Sequence, residues 1–274
     1  MRFTIVGGDL RSVYLCRRLL QDGHECLTFG LEQSDIPTEQ KASSLADALQ
    51  DTQCVVLPIP TANGSLLRAP YSTCPPSLEL LKQALPPNTP VFGGGSCTIP
   101  MVDLTKVEPM TIGNSALTAR AALQLITEHT SRGFQDLQVL ILGGGRIGTL
   151  LGLELKNHGA LVTILSRRRD CRVWHTAMGM NAHGMSELSD YLPQQDVIVN
   201  TVPAPILEQS TLTLIDPHAL LLELASLPGG FDPKQAEALG IRTLIGRGLP
   251  GIYTPSEAAD LIAETIYQEL ELCL

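Results

Sequence analysis

The chain has 274 residues, and its 28 acidic against 19 basic side chains leave a net charge of −9 and an isoelectric point near 5.1. An acidic chain with only 4% aromatic residues argues against nucleic acid or an anionic membrane surface as its partner. At 44% hydrophobic and 17% charged, it has the material for a packed core in one large or two ordinary domains.

In chain order, Phe3 to Val6 reads as a strand ending in Gly7-Gly8-Asp9. A helix from Leu10 to about Gln21 follows, then a strand from Cys26 to Phe29. The opening MRFTIVGGDL is already strand and turn, with no signal-peptide core, and no 18-residue apolar span occurs later. Cys16, Cys26, Cys54, Cys74, Cys97, Cys171 and Cys273 form no C-x-x-C, which suits reduced thiols rather than a disulfide framework or a zinc site. A cytoplasmic protein is therefore expected. Leu45 to Leu49 is a short helix, and Cys54 to Leu57 a buried strand with Pro58 to Gly64 at its carboxyl end. Leu78 to Leu85 is a helix stopped by Pro86-Pro87. Val91-Phe92 is a strand entering Gly93-Gly94-Gly95-Ser96, and Met110 to Ile112 is a last short strand. Asn114 to His129 has apolar positions at helical spacing (Ala116, Ala119, Leu123, Ile126), with Asn114 or Ser115 as its cap.

The most informative stretch comes next. The apolar run Val139 to Leu142 leads into Gly143-Gly144-Gly145-Arg146-Ile147-Gly148, a G-x-G-x-x-G. A helical run closed by Asn157-His158-Gly159 and a second apolar run, Leu161 to Leu165, complete the context a dinucleotide fingerprint requires. Gly143 permits the tight turn, Gly145 the close approach of a pyrophosphate and Gly148 the packing of helix on strand. An NAD site usually has Asp or Glu at the end of the second strand; here Ser166-Arg167-Arg168-Arg169 stands there. Guanidiniums suit a 2′-phosphate, so the expected cofactor is NADP. The first copy of the pattern, IVGGD, has Asp9 for the second motif glycine and Ser12 for the third. An acidic side chain there repels a pyrophosphate, which leaves this half for substrate.

Beyond the fingerprint, helices are expected around Arg172 to Met178 and Glu187 to Leu192. Val197 to Val199 is a strand opening into Asn200-Thr201-Val202-Pro203, and Ala219 to Leu222 one opening into Glu223-Leu224-Ala225-Ser226. A helix from Lys234 to Leu239 precedes a strand from Thr243 to Ile245 and the loop Gly246 to Gly251. The last helix, Ser256 to about Glu271, carries an apolar stripe (Ala259, Ile262, Ala263, Ile266) to pack on the first half. The fold class is thus α/β, with two Rossmann-like parallel-sheet domains joined by a long interdomain helix. Residues 1–113 form the substrate domain, completed by the C-terminal helix 256–274; 114–133 form the interdomain helix and 134–255 the NADP-binding domain.

The turns Thr201-Val202-Pro203, Leu224-Ala225-Ser226 and Gly248-Leu249-Pro250 follow strands and are expected around the nicotinamide. Asp9, Arg11, Thr61, Ser96, Asn114 and Ser115 are expected to face them on the substrate side. Asp9, Glu223 and Ser226 are the candidate proton donors or acceptors. The structural alternatives are a helix N-cap for Asp9 and a backbone-amide partner for Glu223. The six histidines form no triad or metal spacing, and no metal is expected.

IVGGDLR, LPIPTANG, NSALTA, LGGGRIG, NTVPAPIL, LELASLPGG and GLPGI occur in an order and spacing similar to those of one family, the A subunits of dipicolinate synthase. The resemblance covers nearly the whole chain. It implies two Rossmann-like domains, NADP, and oxidation of a dihydrodipicolinate-type ring of the lysine pathway to dipicolinate during sporulation. It also implies a partner, the flavoprotein B subunit. It places the cofactor on Gly143, Gly145, Arg146, Ile147, Gly148, Ser166, Arg167, Thr201, Val202, Pro203 and Ala225. Three positions depart from the family pattern: Arg120 stands in place of Glu, Leu227 in place of Arg and Ser256 in place of Lys. Arg120 and Arg247 are the expected replacement cations for a small dicarboxylate substrate. Further copies of the chain are expected as partners. Two other readings stay open: an NAD(P)-dependent dehydrogenase of another small carboxylate, and a non-catalytic NADP-binding partner of a flavoprotein.

Overall fold

The computed structural model describes residues 1–273, which form two compact units. One comprises Met1–Asn114 together with the segment that begins at Pro250; the other is Ser115–Leu249. Among the described residues no helix is long and apolar enough to cross a membrane.

The first unit runs β1 (Arg2–Val6), α1 (Leu10–Gln21), β2 (Glu25–Phe29), α2 (Leu45–Leu49), β3 (Cys54–Val56), the hairpin β4 (Ala62–Asn63) and β5 (Leu66–Leu67), α3 (Leu78–Ala84), β6 (Val91–Gly93) and β7 (Val102–Asp103). Apart from the hairpin its strands form one parallel sheet in the order β2-β1-β3-β6-β7. Phe3, Ile5, Val6, Cys54, Val55, Val56 and Phe92 are all buried, as strands covered on both faces require. The strand order reverses between β1 and β3, so the loops after these two strands flank a switch-point crevice, where ligands bind in open sheets.

α4 (Glu108–His129) starts six residues before the expected cap. The expected strand Met110 to Ile112 is therefore helical, and Asn114 and Ser115 lie in the second turn rather than at the cap. Pro109 sits in the first helical turn, where its missing N–H costs nothing, and Glu108 favours the helix N-terminus. Gly113 does not break the helix: a Cβ there would lie 2.7 Å from both Leu261 methyl carbons, so glycine permits the approach of the two chain segments.

The second unit runs β8 (Gln138–Leu142), α5 (Arg146–Asn157), β9 (Leu161–Leu165), α6 (Arg169–Ala177), β10 (Asn181–His183), α7 (Leu188–Tyr191), β11 (Val197–Asn200), α8 (Gln209–Leu212), β12 (Leu220–Glu223), α9 (Pro233–Ala238) and β13 (Arg242–Ile245). Its six parallel strands are ordered β10-β9-β8-β11-β12-β13. Counted within the unit this is 3-2-1-4-5-6, the order of dinucleotide-binding sheets, with the switch point between β8 and β11. The internal repeat IVGGD/ILGGG therefore covers one strand–helix–strand unit. Beyond it the sheet orders still correspond, β3-β6-β7 to β11-β12-β13, but among the described residues the first unit has no counterpart of β10 outside β2, where Lys41 makes a single bridge to Thr28.

α10 (Pro250–Tyr253) and α11 (Pro255–Cys273) return the chain to the first unit. Ala259, Ile262, Ala263 and Ile266 of α11 share one buried cluster with Phe3, Ile5, Val13, Cys16 and Leu19. Arg18 pairs with Asp260 at 2.7 Å and the Tyr267 hydroxyl donates to Asp22 at 2.7 Å, tying the C-terminal helix to α1.

Candidate cofactor and active site

The glycine turn after β8 is built around three different demands. Gly143 has φ +110°, a conformation L side chains avoid, and a Cβ there would overlap the Thr201 hydroxyl. A Cβ at Gly148 would overlap the Gly143 carbonyl oxygen, so this glycine lets α5 touch the strand end. Gly145 is different. It is the N-cap of α5, its φ is an ordinary −84°, and a Cβ there would meet no atom within 4 Å. It carries no side chain to cap α5, so nothing on the N-cap residue itself competes with an anion at this helix N-terminus.

The turn opens on a cavity of about 250 Å³, lined by Gly143–Gly145, by Ser166 to Arg168 from the end of β9, by Cys171 and Met185, and by Thr201–Pro203 from the end of β11. The residues fit a dinucleotide: two lips of a switch point, a helix N-terminus with glycine at its N-cap and basic side chains at the tip of β9. The arginines of that tip are not equivalent. α6 starts at Arg169, three residues before the expected Arg172, so Arg168 is its N-cap. Arg168 is bonded to Asp170, and this hydrogen bond holds the Asp170 carboxyl down to about 2. The pair therefore stays ionised at neutral pH. Arg167 is exposed at the cavity and stands clear of this pair. Arg172 donates from one nitrogen to the carbonyls of Ser166 (2.8 Å) and Arg167 (2.9 Å), fixing the turn that carries them. Ser166 is buried, and its hydroxyl would lie 3.1 Å from a Cβ at Gly144.

Sequence reasoning missed His175. It is buried beneath the glycine turn and bonds the Thr149 hydroxyl at 2.8 Å, and burial pushes its pKa down. A Cβ at Gly144 would lie 2.8 Å from the imidazole, so the middle glycine accommodates this neutral ring. A lone histidine at the end of a weakly periodic helix gives no signal of this contact.

Glu223 and Asn200 form the frame of the other lip. Glu223 is 1% exposed and Asn200 is fully buried. One Glu223 oxygen accepts from the Asn200 amide (2.8 Å) and the Ala225 N–H (2.8 Å), and the other from the Gly230 N–H (2.6 Å). Asn200 also brackets Val202, donating to its carbonyl at 2.9 Å and accepting from its N–H at 3.0 Å. Glu223 is thus a strut between the loops after β11 and β12, which is its structural alternative as a backbone-amide partner. Arg247 is held the same way, donating to the Ala225 carbonyl at 3.1 Å, on the loop whose exposed tip carries Ser226 and Leu227. Leu249 is buried close to where a Cβ at Gly246 would lie, beside Leu222 and Leu224, and Pro250 begins α10. Neither lines the cavity at Gly143. Arg146 and Ile147 form the first turn of α5, Arg120 is exposed on α4, and Ser256 is exposed in the first turn of α11.

In the first unit the equivalent turn is closed. Asp9 caps α1 by accepting from the Arg11 N–H at 3.1 Å. It also holds the Arg11 guanidinium through two bonds of 2.9 and 2.8 Å. Burial raises the Asp9 pKa, but these bonds and the charge of Arg11 outweigh it and keep the carboxyl below its ordinary value. Asp9 is therefore an ionised cap of α1. A Cβ at Gly8 would overlap the Ser12 hydroxyl, so the space left by the third fingerprint glycine is filled. Thr61 is fully buried and accepts from the Gly94 N–H while donating to the Pro58 carbonyl, which makes it a loop anchor rather than a substrate contact. Ser96 is exposed beyond β6. Among the described residues no group of three His, Cys, Asp or Glu side chains is placed to hold a metal ion.

The family of N-terminal domains of the dipicolinate synthase A subunit matches residues 2–101. That stretch, from β1 to the segment after β6, is similar to those domains. The likeness extends beyond it: the A subunit of dipicolinate synthase from Bacillus subtilis is 29% identical over 97% of this chain and 94% of its own. The crystal structure of the Bacillus halodurans counterpart superposes with a TM-score of 0.87 at 27% identity, covering 98% of this chain and 97% of that one. An L-alanine dehydrogenase shares the fold at 13% identity, with a TM-score of 0.67 over 98% of this chain and 89% of its own.

Proposed function

We propose that the chain is an NADP-dependent oxidoreductase that oxidises a dihydrodipicolinate-type dicarboxylate ring to dipicolinate, together with a flavoprotein partner. The observation that carries this reading is the open glycine cradle before α5, with the Ser166–Arg167 turn beside it, in a chain similar to a dipicolinate synthase component over 97% of its length. When bound, the cofactor supplies the hydride acceptor. The protein's part is placement. Gly143–Gly145 and the N-terminus of α5 hold the pyrophosphate, Ser166 and Arg167 the 2′-phosphate, and Thr201–Pro203 the other lip. Asp9 and Glu223 are both committed to structural hydrogen bonds, so the proton that accompanies the hydride leaves to water. Formation of an aromatic ring makes that loss favourable without a strong base.

Arg167→Ala is expected to weaken NADP binding by about tenfold while leaving NAD binding unchanged, because only the former loses a phosphate contact. Arg168→Ala is expected to change either affinity by less than about twofold, since its guanidinium already serves Asp170. Arg172→Ala should resemble Arg167→Ala, because it releases the turn that presents Arg167. Fluorescence titration of NADPH and NADH separates these outcomes, and equal losses for both cofactors would refute the 2′-phosphate assignment. The engagement of Asp9 and Glu223 also suits a second reading, a non-catalytic NADP-binding partner of a flavoprotein; turnover by the isolated chain excludes it.

A further inference from the structure

The switch-point crevice of the first unit carries an uncompensated positive charge. Arg11 and Asp9 pair face to face, and Arg11 also donates to the Ile59 carbonyl at 2.5 Å, which links the loops after β1 and β3. Arg68 arrives from beyond β5, with its guanidinium 3.7 Å from Asp9 Oδ2, an oxygen that Arg11 also holds. Two guanidiniums thus share one carboxylate, and the trio is left at +1 at the carboxyl end of a parallel sheet.

The main chain of Arg68 is locked on both sides of the crevice. Its N–H donates to the Thr61 carbonyl and its carbonyl accepts from the Gly8 N–H, each at 2.9 Å. Gly7, at φ +72°, allows this: a Cβ there would lie 2.7 Å from a Leu67 methyl and 3.0 Å from the Arg68 carbonyl oxygen. The Arg11 side chain is 9% exposed, whereas that of Arg68 is 37% exposed. A single 3.7 Å contact engages few of the five N–H donors of a guanidinium. The cavity that Asp9 and Arg11 line with Ser12 and residues 56–59 has only about 10 Å³ of free space, enough for one water, and Arg68 does not line it. A ligand therefore approaches from the Arg68 side.

We propose that Arg68 receives a carboxylate of the substrate in this crevice, with Arg11 and Asp9 as its rigid support. The inference rests on the small-dicarboxylate reading above and assigns one of its two carboxylates to the first unit. Charge selects the ligand class. One carboxylate brings the trio to neutrality, whereas a phosphate dianion would leave a net negative charge against Asp9. The α1 N-terminus gives a phosphate no compensation, because Asp9 already caps it.

The test is direct binding to the full chain, which needs no turnover. Dipicolinate is titrated by calorimetry into the wild type, Arg68→Ala and Arg68→Lys, with malate and inorganic phosphate as comparison probes and NADP as a folding control. Arg68→Ala is expected to lose about tenfold or more in dipicolinate affinity, Arg68→Lys to recover part of it, and NADP binding to stay unchanged. If dipicolinate fails to bind the wild type while malate binds and depends on Arg68, the site stands and the substrate reading falls. The site is overturned if no carboxylate binds, if Arg68→Ala binds as well as the wild type, or if phosphate binds as tightly as the carboxylates with the same dependence on Arg68.

Discussion

Glu223→Gln is expected to destabilise the second unit by about 2–4 kcal/mol, more than any other single polar replacement considered for this chain. Three N–H donors converge on the two Glu223 oxygens, from Asn200, Ala225 and Gly230. A carboxylate accepts from all three; a glutamine must turn its own NH₂ toward at least one of them. The site is 1% exposed, so no bulk water relieves the clash. The loops after β11 and β12 then separate, and the Thr201–Pro203 lip of the cavity loses the bracket that Asn200 places around Val202. Urea unfolding and NADPH titration together read the effect: lower stability and weaker cofactor binding are expected in the same variant. A catalytic Glu223 would behave otherwise, with stability and cofactor affinity intact and only kcat lost.

Gly148→Ala and Gly145→Ala are expected to fail in different ways. At position 148 the new methyl would collide with the Gly143 carbonyl oxygen, a backbone atom that cannot swing aside. α5 must then retreat from β8, which costs about 1–3 kcal/mol of stability and draws the helix N-terminus out of reach of a phosphate. At position 145 the methyl meets no protein atom within 4 Å and the backbone conformation is an ordinary one for alanine. The apo protein should be as stable as the wild type, while NADP affinity falls by about tenfold or more, because the methyl occupies the path of the pyrophosphate. Thermal unfolding with and without NADP measures both quantities. Unchanged NADP affinity in Gly145→Ala would contradict the placement of the pyrophosphate.

What the sequence could and could not disclose follows from the range of each interaction. The fingerprint from Val139 to Leu165 is local: strand, glycines and helix lie next to one another in the chain, and pattern alone predicts them. The fold class is legible for the same reason, since each buried parallel strand is a short apolar run. Position 110–112 misled because Met-Thr-Ile has strand propensity, whereas Pro109 and Leu261 decide for helix. The strut role of Glu223 depends on Asn200 and Gly230, which approach it only when β11 and β12 pair. The unequal arginines at the end of β9 depend on where α6 starts, and Asp170 alone is a weak hint of that start. Arg68 stayed hidden because β4 and β5 are two residues each, too short to register as a pattern.

In the proposed reaction this chain passes a hydride from a dihydrodipicolinate-type ring to NADP. The most direct measurement mixes the purified chain, alone and with its flavoprotein partner, with NADP and freshly generated dihydrodipicolinate, and follows dipicolinate and NADPH absorbance together against an enzyme-free control. Dipicolinate and NADPH appearing in equal amounts, faster than the control and slower in Arg167→Ala, is the expected result. Dipicolinate formation no faster than the control, in a chain that still binds NADP, would contradict it.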